Sequence, residues 1–309
     1  MSSFLPESPL YAAVELGSDS FRLHVGRVED GALRLSATMA EPVRLAATLD
    51  EDGFLCVAAM RRALACLRAF RCVLDAWRPE AVRVVATSAL RLARNAAVFL
   101  PAAEQALGWP IELIDGGEGG RLVYLGVAST LGAAGEEPRL VIDIGSGSTE
   151  LVLGRGERIE RVESFAVGAV RQSLTFFSDG RIDEAGFEAA VRSGRSRFAQ
   201  SGLAPRPSRR AYGACGTVRA LAEIARAGGE ERLNRDCLAR LRRMVVEAGH
   251  LARVRLRWEP AARAPHLPGG LALLIALMDE FGIDEVTPVH AGLRVGALWD
   301  LHARAQVCA

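Results

Sequence analysis

The sequence predicts an α/β protein built from two duplicated domains, and two observations support this. Short apolar, β-branched runs that end in turn residues alternate with longer segments in which apolar residues recur at helical spacing. A unit of strand, glycine-serine turn and strand also occurs twice, near the N-terminus and again near the middle of the chain. We therefore expect each half of the chain to fold as one α/β domain that opens with a β-hairpin.

The repeated hairpin is the feature around which the chain is organised. Its second copy, at 140–154, reads LVIDIGSGSTELVLG. The first copy, VELGSDSFRLHVGR at 14–27, aligns with 142–155 without a gap, at a constant offset of 128 positions, and places Glu15 on Asp143. A period this long is not that of a solenoid, so it indicates two duplicated domains that face one another across a cleft.

The polar segment AAGEEP at 133–138 separates the two halves. Its Gly and Pro content makes it the best domain boundary. We therefore predict domains at 1–132 and 133–309, with the option that the last helix packs back on the first domain.

The composition limits the classes of function. The chain has 309 residues, of which 50% are hydrophobic, and this is enough for two cores of ordinary size. A formal net charge of +1 argues against DNA or RNA as a partner. The six cysteines show no metal-type spacing, which favours a reduced, cytoplasmic protein. The longest uncharged apolar stretch, 267–278, is shorter than the ~18 residues of a membrane span, and the N-terminus lacks a signal sequence, so we expect a soluble chain without membrane contact.

The first domain has a regular order of predicted elements. After the hairpin come a strand at 31–35, a turn at 50–53 and a long helix over 56–77 that ends before Pro79. Strands at 82–87 and 111–114 enclose a helix that begins after residue 95. The segment DGGEGG at 115–120 is predicted as a loop, with the next helix beginning at Arg121.

The second domain repeats this alternation. Its hairpin is followed by a strand at 158–165, a short helix that opens at 168–171, and a helix capped by Asp183 that runs to residue 198. Residues 202–210 are predicted as a loop. The remaining predicted elements are a strand, turn and helix start at 210–217, a helix at 271–281, a strand at 285–289 and a final helix after 291–296.

Both hairpin turns have the chemistry of a phosphate site, although an ordinary surface hairpin is the alternative for either copy alone. Glycines let the backbone turn tightly and point N–H groups at a ligand, and hydroxyl groups add donors. A carboxylate at the mouth of the turn could hold a divalent cation that neutralises phosphate oxygens. The candidate phosphate-binding residues are Gly17, Ser18, Asp19, Ser20, Arg22, Arg91, Gly145, Ser146, Gly147, Ser148 and Thr149, and the candidate metal ligands are Glu15, Asp143 and Glu150.

A further turn of small residues, GACGT at 213–217, could present backbone N–H groups to an anion. Gly213, Gly216 and Thr217 are therefore candidates for a nucleotide or polyphosphate cleft. Cys215 lies in the same turn, but no histidine is near it in sequence, so we expect a small buried side chain and not a nucleophile.

Five motifs together resemble the Ppx/GppA family of exopolyphosphatases and guanosine pentaphosphate phosphohydrolases. They are the two hairpins, the segment 86–95, the turn 213–217 and Gly292-Leu293-Arg294, and they occur in order over nearly the whole chain. The resemblance implies two ribonuclease-H-like domains of the actin, sugar kinase and chaperone-ATPase superfamily, with the active site between them. It also implies Mg²⁺-assisted hydrolysis of terminal phosphoanhydride bonds in inorganic polyphosphate or guanosine pentaphosphate. The expected partners are this ligand and, as one option, a second copy of the chain in a homodimer.

The chain departs from the family pattern at five positions. Relatives have two adjacent glutamates in the loop after Ile114, the second regarded as the base that activates water, and here these positions are Glu118 and Gly119. Glu118 is then the carboxylate nearest the expected place of the base, and we take it with Asp143 as the catalytic candidates. The other departures are at Glu15, Asp19, Ser146 and Val295, where the family has Asp, Asn, Gly and Glu.

Two classes of function remain open. The chain is either a phosphohydrolase that releases terminal phosphate, or a non-hydrolysing sensor that binds such a ligand and has lost the usual catalytic glutamate. A kinase would follow from fold analogy alone and is the weaker option.

Overall fold

The computed structural model describes residues 8–50, 52–132, 137–203, 210–257 and 266–308, and the chain forms two compact units. The first unit comprises Met1–Thr130 together with Leu293–Ala309, and the second comprises Leu131–Gly292. Residues 133–136 of the predicted boundary segment lie outside the described residues. Residues 293–309, which we assigned to the second domain with the option that the last helix packs back on the first, group with the first unit.

The first unit contains a five-stranded sheet in the order β3-β2-β1-β4-β5. β2 is antiparallel to its neighbours β1 and β3, whereas β4 and β5 run parallel to β1. This is the order of a ribonuclease-H-like domain. The strands are β1 (Tyr11–Leu16), β2 (Phe21–Glu29), β3 (Ala32–Glu41), β4 (Ala81–Ala86) and β5 (Glu112–Leu113).

Most helices of the first unit lie where the sequence patterns predicted them. They are α1 (Val57–Trp77), α2 (Ser88–Leu92), α3 (Ala96–Leu107), α4 (Gly116–Leu131) and α11 (Leu293–Cys308), with a 3₁₀ turn at Ala46–Thr48. α1 buries one face, which includes Leu67, Phe70 and Leu74, because its apolar residues recur every three or four positions. The Sγ of Cys56 accepts a hydrogen bond from the Ala59 N–H and caps the start of this helix.

The second unit repeats the strand order of the first, which confirms the predicted fold class of two related α/β domains. Its six-stranded sheet has the order β10-β11-β9-β6-β7-β8, so β10 is an additional edge strand. The strands are β6 (Pro138–Ile144), β7 (Thr149–Arg155), β8 (Arg158–Phe165), β9 (Arg210–Gly213), β10 (Leu233–Asn234) and β11 (Glu285–Pro288).

The core of the second unit is organised around one apolar helix, α10 (Leu267–Phe281). Twelve of its residues are buried, and it packs against four other helices of the same unit. The other helices are α5 (Ala169–Phe176), α6 (Glu184–Phe198), α7 (Gly216–Ala227), α8 (Arg235–Ala248) and α9 (Leu251–Arg257). As predicted, Asp183 caps α6 by accepting a hydrogen bond from the Gly186 N–H at 2.8 Å.

The prediction of a loop at 115–120 was wrong, because α4 begins at Gly116. The Oδ1 of Asp115 accepts a hydrogen bond from the Glu118 N–H at 2.8 Å, and its carbonyl accepts one from the Gly119 N–H at 3.0 Å. Capping by Asp115 and an acidic residue in the first turn both favour a helix start, and they offset the low helix propensity of the glycines.

The final helix belongs to the first unit because it fits closely against α4. A Cβ at Gly296 would overlap the carbonyl oxygen of Leu122, so only glycine permits this approach of α11 to the α4 backbone. Among the described residues, no helix has the length and apolar character needed to cross a bilayer.

Candidate functional site

The turn at 17–20 joins β1 to β2 and is held by the loop that follows β3. The carbonyl groups of Ser18 and Asp19 accept hydrogen bonds from the N–H groups of Ala46 and Arg44, at 2.8 and 2.7 Å. Glycine is required at position 17, because a Cβ there would lie 2.7 Å from the carbonyl oxygen of Ser20. The backbone of the turn is therefore fixed from one side.

This arrangement leaves two N–H groups available for an anion. In a planar trans peptide the N–H points opposite to the carbonyl of the preceding residue, so the N–H groups of Asp19 and Ser20 point away from the loop at 44–46. Within the part of the chain that the structure describes, neither N–H has a hydrogen-bond partner. Asp19 and Ser20 thus offer backbone donors of the kind that phosphate sites use.

The side chain of Ser18 has a structural role. It is 6% exposed, its Oγ lies 2.8 Å from the Oγ of Ser88, and it accepts a hydrogen bond from the Ala89 N–H at 3.0 Å. These bonds attach the start of α2 to the turn. The predicted contact of the Ser18 hydroxyl with phosphate does not agree with this geometry, because the hydroxyl already has two buried partners.

The two arginines among the predicted phosphate-binding residues, Arg22 and Arg91, each have a protein partner on one edge of the guanidinium. Arg22 donates from Nε to the Ser20 Oγ at 3.0 Å, and Arg91 donates from Nη1 to the carbonyl of Ile114 at 2.7 Å. Arg91 is exposed. Its contact links α2 to the residue that precedes the Asp115 cap of α4.

Glu15 does not fit the predicted role of a metal ligand, because a guanidinium group already pairs with it. Arg294 of α11 forms a short ion pair with the Glu15 carboxylate through Nη1, and its Nε donates to the Nε2 of His24 at 3.2 Å. A divalent cation at Glu15 would have to displace this positive charge. Arg294 belongs to the motif Gly292-Leu293-Arg294, and from the sequence we assigned it no role of its own. That motif is the sequence feature that could have identified it.

Glu118 lies in a cluster of charged side chains that joins β4, α4 and α11. Its carboxylate accepts from the Nη2 of Arg83 and from the Nε of Arg121, both at 2.7 Å. Asp300 pairs with the same two arginines, at 2.8 and 2.7 Å, and Glu112 pairs with Arg83 at 2.9 Å. Arg83 is 6% exposed, so its charge is neutralised almost entirely by these carboxylates.

These contacts make Glu118 a poor general base. The hydrogen bond from Arg121, together with that from Arg83, holds the pKa of the Glu118 carboxylate below its usual range, despite the opposing effect of burial. A base with a lowered pKa accepts a proton less readily. The assignment of Glu118 as the base therefore disagrees with the structure, which makes it a structural anchor of α4.

Position 119 is the next residue along the same helical turn. A Cβ at Gly119 would meet only the Cδ1 of Ile114, at 3.9 Å, which is an ordinary contact. The backbone there is helical. An added Cβ is therefore sterically tolerated at the position where relatives carry the second glutamate.

The turn at 145–148 joins β6 to β7 and is held by the start of α5. It is closed by a hydrogen bond from the Gly145 N–H to the Ser148 carbonyl at 2.9 Å. The Gly145 and Ser146 carbonyls accept from the N–H groups of Ala169 and Val170, at 2.8 and 3.1 Å. By the same peptide geometry, the N–H groups of Ser146 and Gly147 point away from α5, and neither has a partner among the described residues.

The close approach of α5 to this turn depends on Gly168. A Cβ at Gly168 would lie 2.5 to 2.6 Å from three backbone atoms of Gly145, Ser146 and Gly147. Cβ atoms essentially never lie this close to non-bonded heavy atoms, so a side chain at this position would force the turn and the helix apart.

Two predicted residues of the second hairpin have structural partners. Thr149 is fully buried and donates from Oγ1 to the Val167 carbonyl at 2.7 Å, so its hydroxyl is not available to a ligand. Glu150 is buried and accepts from the Oγ of Ser164 at 3.0 Å. Asp143 pairs with Glu150 in the strand register and is partly exposed at the end of β6.

Asp143 is the predicted metal ligand that fits best. In the described part of the chain, no group of three or more His, Cys, Asp or Glu side chains is arranged to hold a metal ion. Mg²⁺ does not require one, since it commonly binds one or two carboxylates, water and substrate phosphates. A partly exposed carboxylate two residues before the turn at 145–148 fits that pattern, whereas Glu15, which pairs with Arg294, does not.

The turn at 213–217 supports the end of β6. Thr217 donates from Oγ1 to the Ile144 carbonyl at 3.0 Å, and a Cβ at Gly213 would overlap the side chain of Val218. Gly213 and Thr217 therefore have packing roles, while Gly216 begins α7. The expectation of a buried Cys215 is confirmed: burial, with the nearby charge of Asp143, raises the pKa of this thiol to about 11.

Comparison with known proteins agrees with this architecture. Residues 24–305 match the model of the Ppx/GppA phosphatase family. The chain is 38% identical over 304 residues to a guanosine-5'-triphosphate,3'-diphosphate pyrophosphatase of Vibrio parahaemolyticus and 40% identical over 304 residues to that of Aeromonas hydrophila. These alignments cover 95% and 97% of this chain but only 59% and 61% of the relatives, so the chain spans about three fifths of their length.

Solved structures show the same fold. A PPX-GPPA enzyme of Aquifex aeolicus superposes with a TM-score of 0.81 at 25% identity, covering 94% of this chain and 99% of the other. An exopolyphosphatase of Cytophaga hutchinsonii superposes with a TM-score of 0.84 at 23% identity, covering 96% and 98%.

Proposed function

Because the chain belongs to the Ppx/GppA phosphatase family, we propose that it binds guanosine pentaphosphate and hydrolyses a terminal phosphoanhydride bond to release orthophosphate. The observation that carries the proposal is the pair of backbone N–H groups in each hairpin turn, at Asp19 and Ser20 and at Ser146 and Gly147, that have no partner among the residues the structure describes. The identity of 38% and 40% to guanosine pentaphosphate pyrophosphatases supports the choice of ligand. Inorganic polyphosphate presents the same terminal bond and is the second ligand that we propose.

The turn N–H groups suit a phosphoryl group because they are fixed before the ligand arrives. Their peptide planes are held by hydrogen bonds to the residues behind the turn, so little conformational entropy is lost on binding. Donors that are already oriented also stabilise charge that develops during phosphoryl transfer.

We propose Mg²⁺ as the cofactor, with Asp143 as its protein ligand, in part through water. The ion would neutralise phosphate oxygens when bound. Glu15 contributes no ligand in this proposal, because Arg294 supplies the positive charge at the first hairpin.

The rate of hydrolysis is expected to be low for a member of this family. Glu118 is paired with two arginines and position 119 has no side chain, so neither position provides a free carboxylate. Loss of a general base typically costs about 10²- to 10⁴-fold in rate.

The lack of a free carboxylate at positions 118 and 119 favours a second candidate function. A protein that keeps the phosphate-binding turns but has no free carboxylate at 118 or 119 would bind the ligand without consuming it. In this case the chain is a sensor of guanosine polyphosphate or inorganic polyphosphate, and its output is the ligand-bound state.

One experiment separates the two functions and tests the first. Phosphate release from guanosine pentaphosphate and from polyphosphate is measured with Mg²⁺, and binding of both ligands is measured by calorimetry, for the parent, Gly119→Glu and the matched control Gly119→Gln. We expect slow release by the parent, an increase of at least about tenfold in Gly119→Glu, and no increase in Gly119→Gln, which has the same size without the basicity.

The outcomes lead to different conclusions. Tight binding with no measurable release by the parent would favour the sensor. Rapid release by the parent, unchanged in Gly119→Glu, would show that another group activates water. No binding of either ligand would contradict both functions.

A further inference from the structure

One backbone conformation in the first unit has no local explanation. Among the described residues, three non-glycine residues have a positive φ: Asp30 (50°), Arg44 (57°) and Arg78 (49°). Asp30 precedes Gly31, also at positive φ, in the tight turn between β2 and β3, and Arg78 is the left-handed C-cap of α1. Arg44 lies between the end of β3 and the 3₁₀ turn, where neither reason applies.

The surroundings of Arg44 force this conformation. Its neighbours Val43 and Leu45 are both buried, at 3% and 0% exposure. Its N–H donates to the Asp19 carbonyl at 2.7 Å, and two residues further on the Ala46 N–H donates to the Ser18 carbonyl at 2.8 Å. The chain must turn sharply at residue 44 to satisfy all four contacts.

Arginine is an unfavourable residue for such a position. Glycine adopts positive φ without steric cost, and Asn tolerates it better than a long side chain does. Strained non-glycine residues held by their surroundings are concentrated at ligand sites. The presence of arginine therefore points to a use for its side chain.

The side chain of Arg44 is available for such a use. It is exposed, and its guanidinium forms no ion pair or hydrogen bond within the described ranges. By contrast, Arg22, Arg91 and Arg294 each have a protein partner. The Arg44 backbone is hydrogen-bonded to the turn at 17–20. Its long side chain therefore begins next to that turn.

We propose that Arg44 binds a second phosphoryl group of the ligand, next to the one held by the turn at 17–20. This inference rests on the proposed function. In this proposal the N–H groups of Asp19 and Ser20, which point away from the Arg44 backbone, bind one phosphoryl group, and the Arg44 guanidinium binds its neighbour. A guanidinium matches phosphate oxygens with two parallel hydrogen bonds. Arg44 thus selects ligands with several phosphoryl groups over orthophosphate.

The test compares Arg44→Gly with Arg78→Gly, a matched control that relieves the same backbone strain at the end of α1. Binding of guanosine pentaphosphate, tripolyphosphate and orthophosphate is measured by calorimetry with Mg²⁺, and the Tm is measured for each variant. We expect Arg44→Gly to bind both longer ligands about 10-fold or more weakly, with orthophosphate binding unchanged, since a charge-assisted hydrogen bond is lost. The Tm of Arg44→Gly and the Tm of Arg78→Gly should each equal or exceed the Tm of the parent. Arg78→Gly should bind all three ligands with the affinity of the parent.

Weaker binding of guanosine pentaphosphate alone would still support the inference and would assign Arg44 to the nucleoside 3'-diphosphate. Weaker binding of both guanosine pentaphosphate and tripolyphosphate would assign Arg44 to any chain of phosphoryl groups. Unchanged binding of all three ligands by Arg44→Gly would overturn it. Equal weakening of orthophosphate would also overturn it, because the residue would then act through the turn. If Arg44→Gly lowers the Tm, Arg44→Asn, which tolerates the same backbone, is judged by the same comparison. A parent that binds none of the ligands contradicts the proposed function itself.

Discussion

The carboxylate of Glu118 shows how a residue type suited to catalysis can be engaged in contacts within the protein. Two arginines and the Asp115 cap hold both its side chain and its N–H. A catalytic base needs a lone pair directed at water and a pKa near the working pH. Glu118 meets neither requirement, since its oxygens accept bonds from guanidinium groups and its pKa is lowered.

We therefore expect Glu118→Gln to affect stability and leave turnover nearly unchanged. The variant leaves the buried Arg83 with less compensating charge, and the loss of charged hydrogen bonds from a partly exposed group should cost about 1–3 kcal/mol in the free energy of unfolding. Urea unfolding and phosphate release measure the two effects. A fall of about 100-fold in turnover with unchanged stability would restore Glu118 as the base.

The pH dependence of the same variant provides an internal control. The folded pKa of Glu118 lies below its unfolded value of 4.5, so the ionised carboxylate stabilises the fold above that pH and its contribution is lost as the pH falls through the folded pKa. The stability difference between the parent and Glu118→Gln should thus be constant above about pH 5 and shrink in more acidic solution. A difference that does not depend on pH would show that the charge of Glu118 contributes nothing.

At the scale of elements, each turn proposed to bind phosphate is shaped by the segment packed behind it. The loop at 44–46 holds the first turn, and the start of α5 holds the second. In both, hydrogen bonds to two carbonyl groups set the direction of two N–H groups. The direction of these N–H groups thus depends on a pair of elements and not on the glycines alone.

This dependence predicts the effect of Gly168→Ala. The added methyl group would lie 2.5 to 2.6 Å from the backbone of the second turn, so α5 and the turn must separate. We expect a loss of about 1–3 kcal/mol in the free energy of unfolding and at least tenfold weaker binding of guanosine pentaphosphate. Gly228→Ala at the end of α7, where φ is −87°, is a suitable control and should retain binding. Parental affinity in Gly168→Ala would show that the turn binds no phosphate.

At the scale of the whole molecule, the two units share a strand order but differ in charge at equivalent positions. Asp143 is partly exposed at the end of β6, whereas its counterpart Glu15 is paired with Arg294. The first hairpin thus has an arginine paired with its carboxylate, and the carboxylate of the second lies partly exposed at the end of its strand.

This difference predicts unequal effects on metal dependence. Asp143→Asn should abolish most of the gain in ligand affinity that Mg²⁺ provides, because it removes the proposed metal ligand. Glu15→Gln should leave that gain unchanged. Calorimetric titration of guanosine pentaphosphate with and without Mg²⁺ measures both. Equal loss of metal-dependent and metal-free binding in Asp143→Asn would remove its metal role.

The sequence by itself determined the features that depend on local patterns. The alternation of strands and helices, the duplicated hairpins, the extent of α1 and the Asp183 cap of α6 all follow from periodicity and turn residues within short windows. The repeat at 128 positions was enough to predict two domains of one fold class. Glycine-rich turns and their carboxylates likewise identified the phosphate-binding candidates.

Only the tertiary structure decided which of these side chains are available. Glu118 pairs with Arg83, and both of its arginines also pair with Asp300, while Glu15 pairs with Arg294. Ser18 and Thr149 are bonded inside the protein. Ion pairs and buried hydrogen bonds depend on distances between elements far apart in sequence, and no local pattern encodes which charge will neutralise another. The sequence therefore identified side chains with functional groups suited to binding or catalysis. Packing decided which of these side chains are already engaged in contacts within the protein.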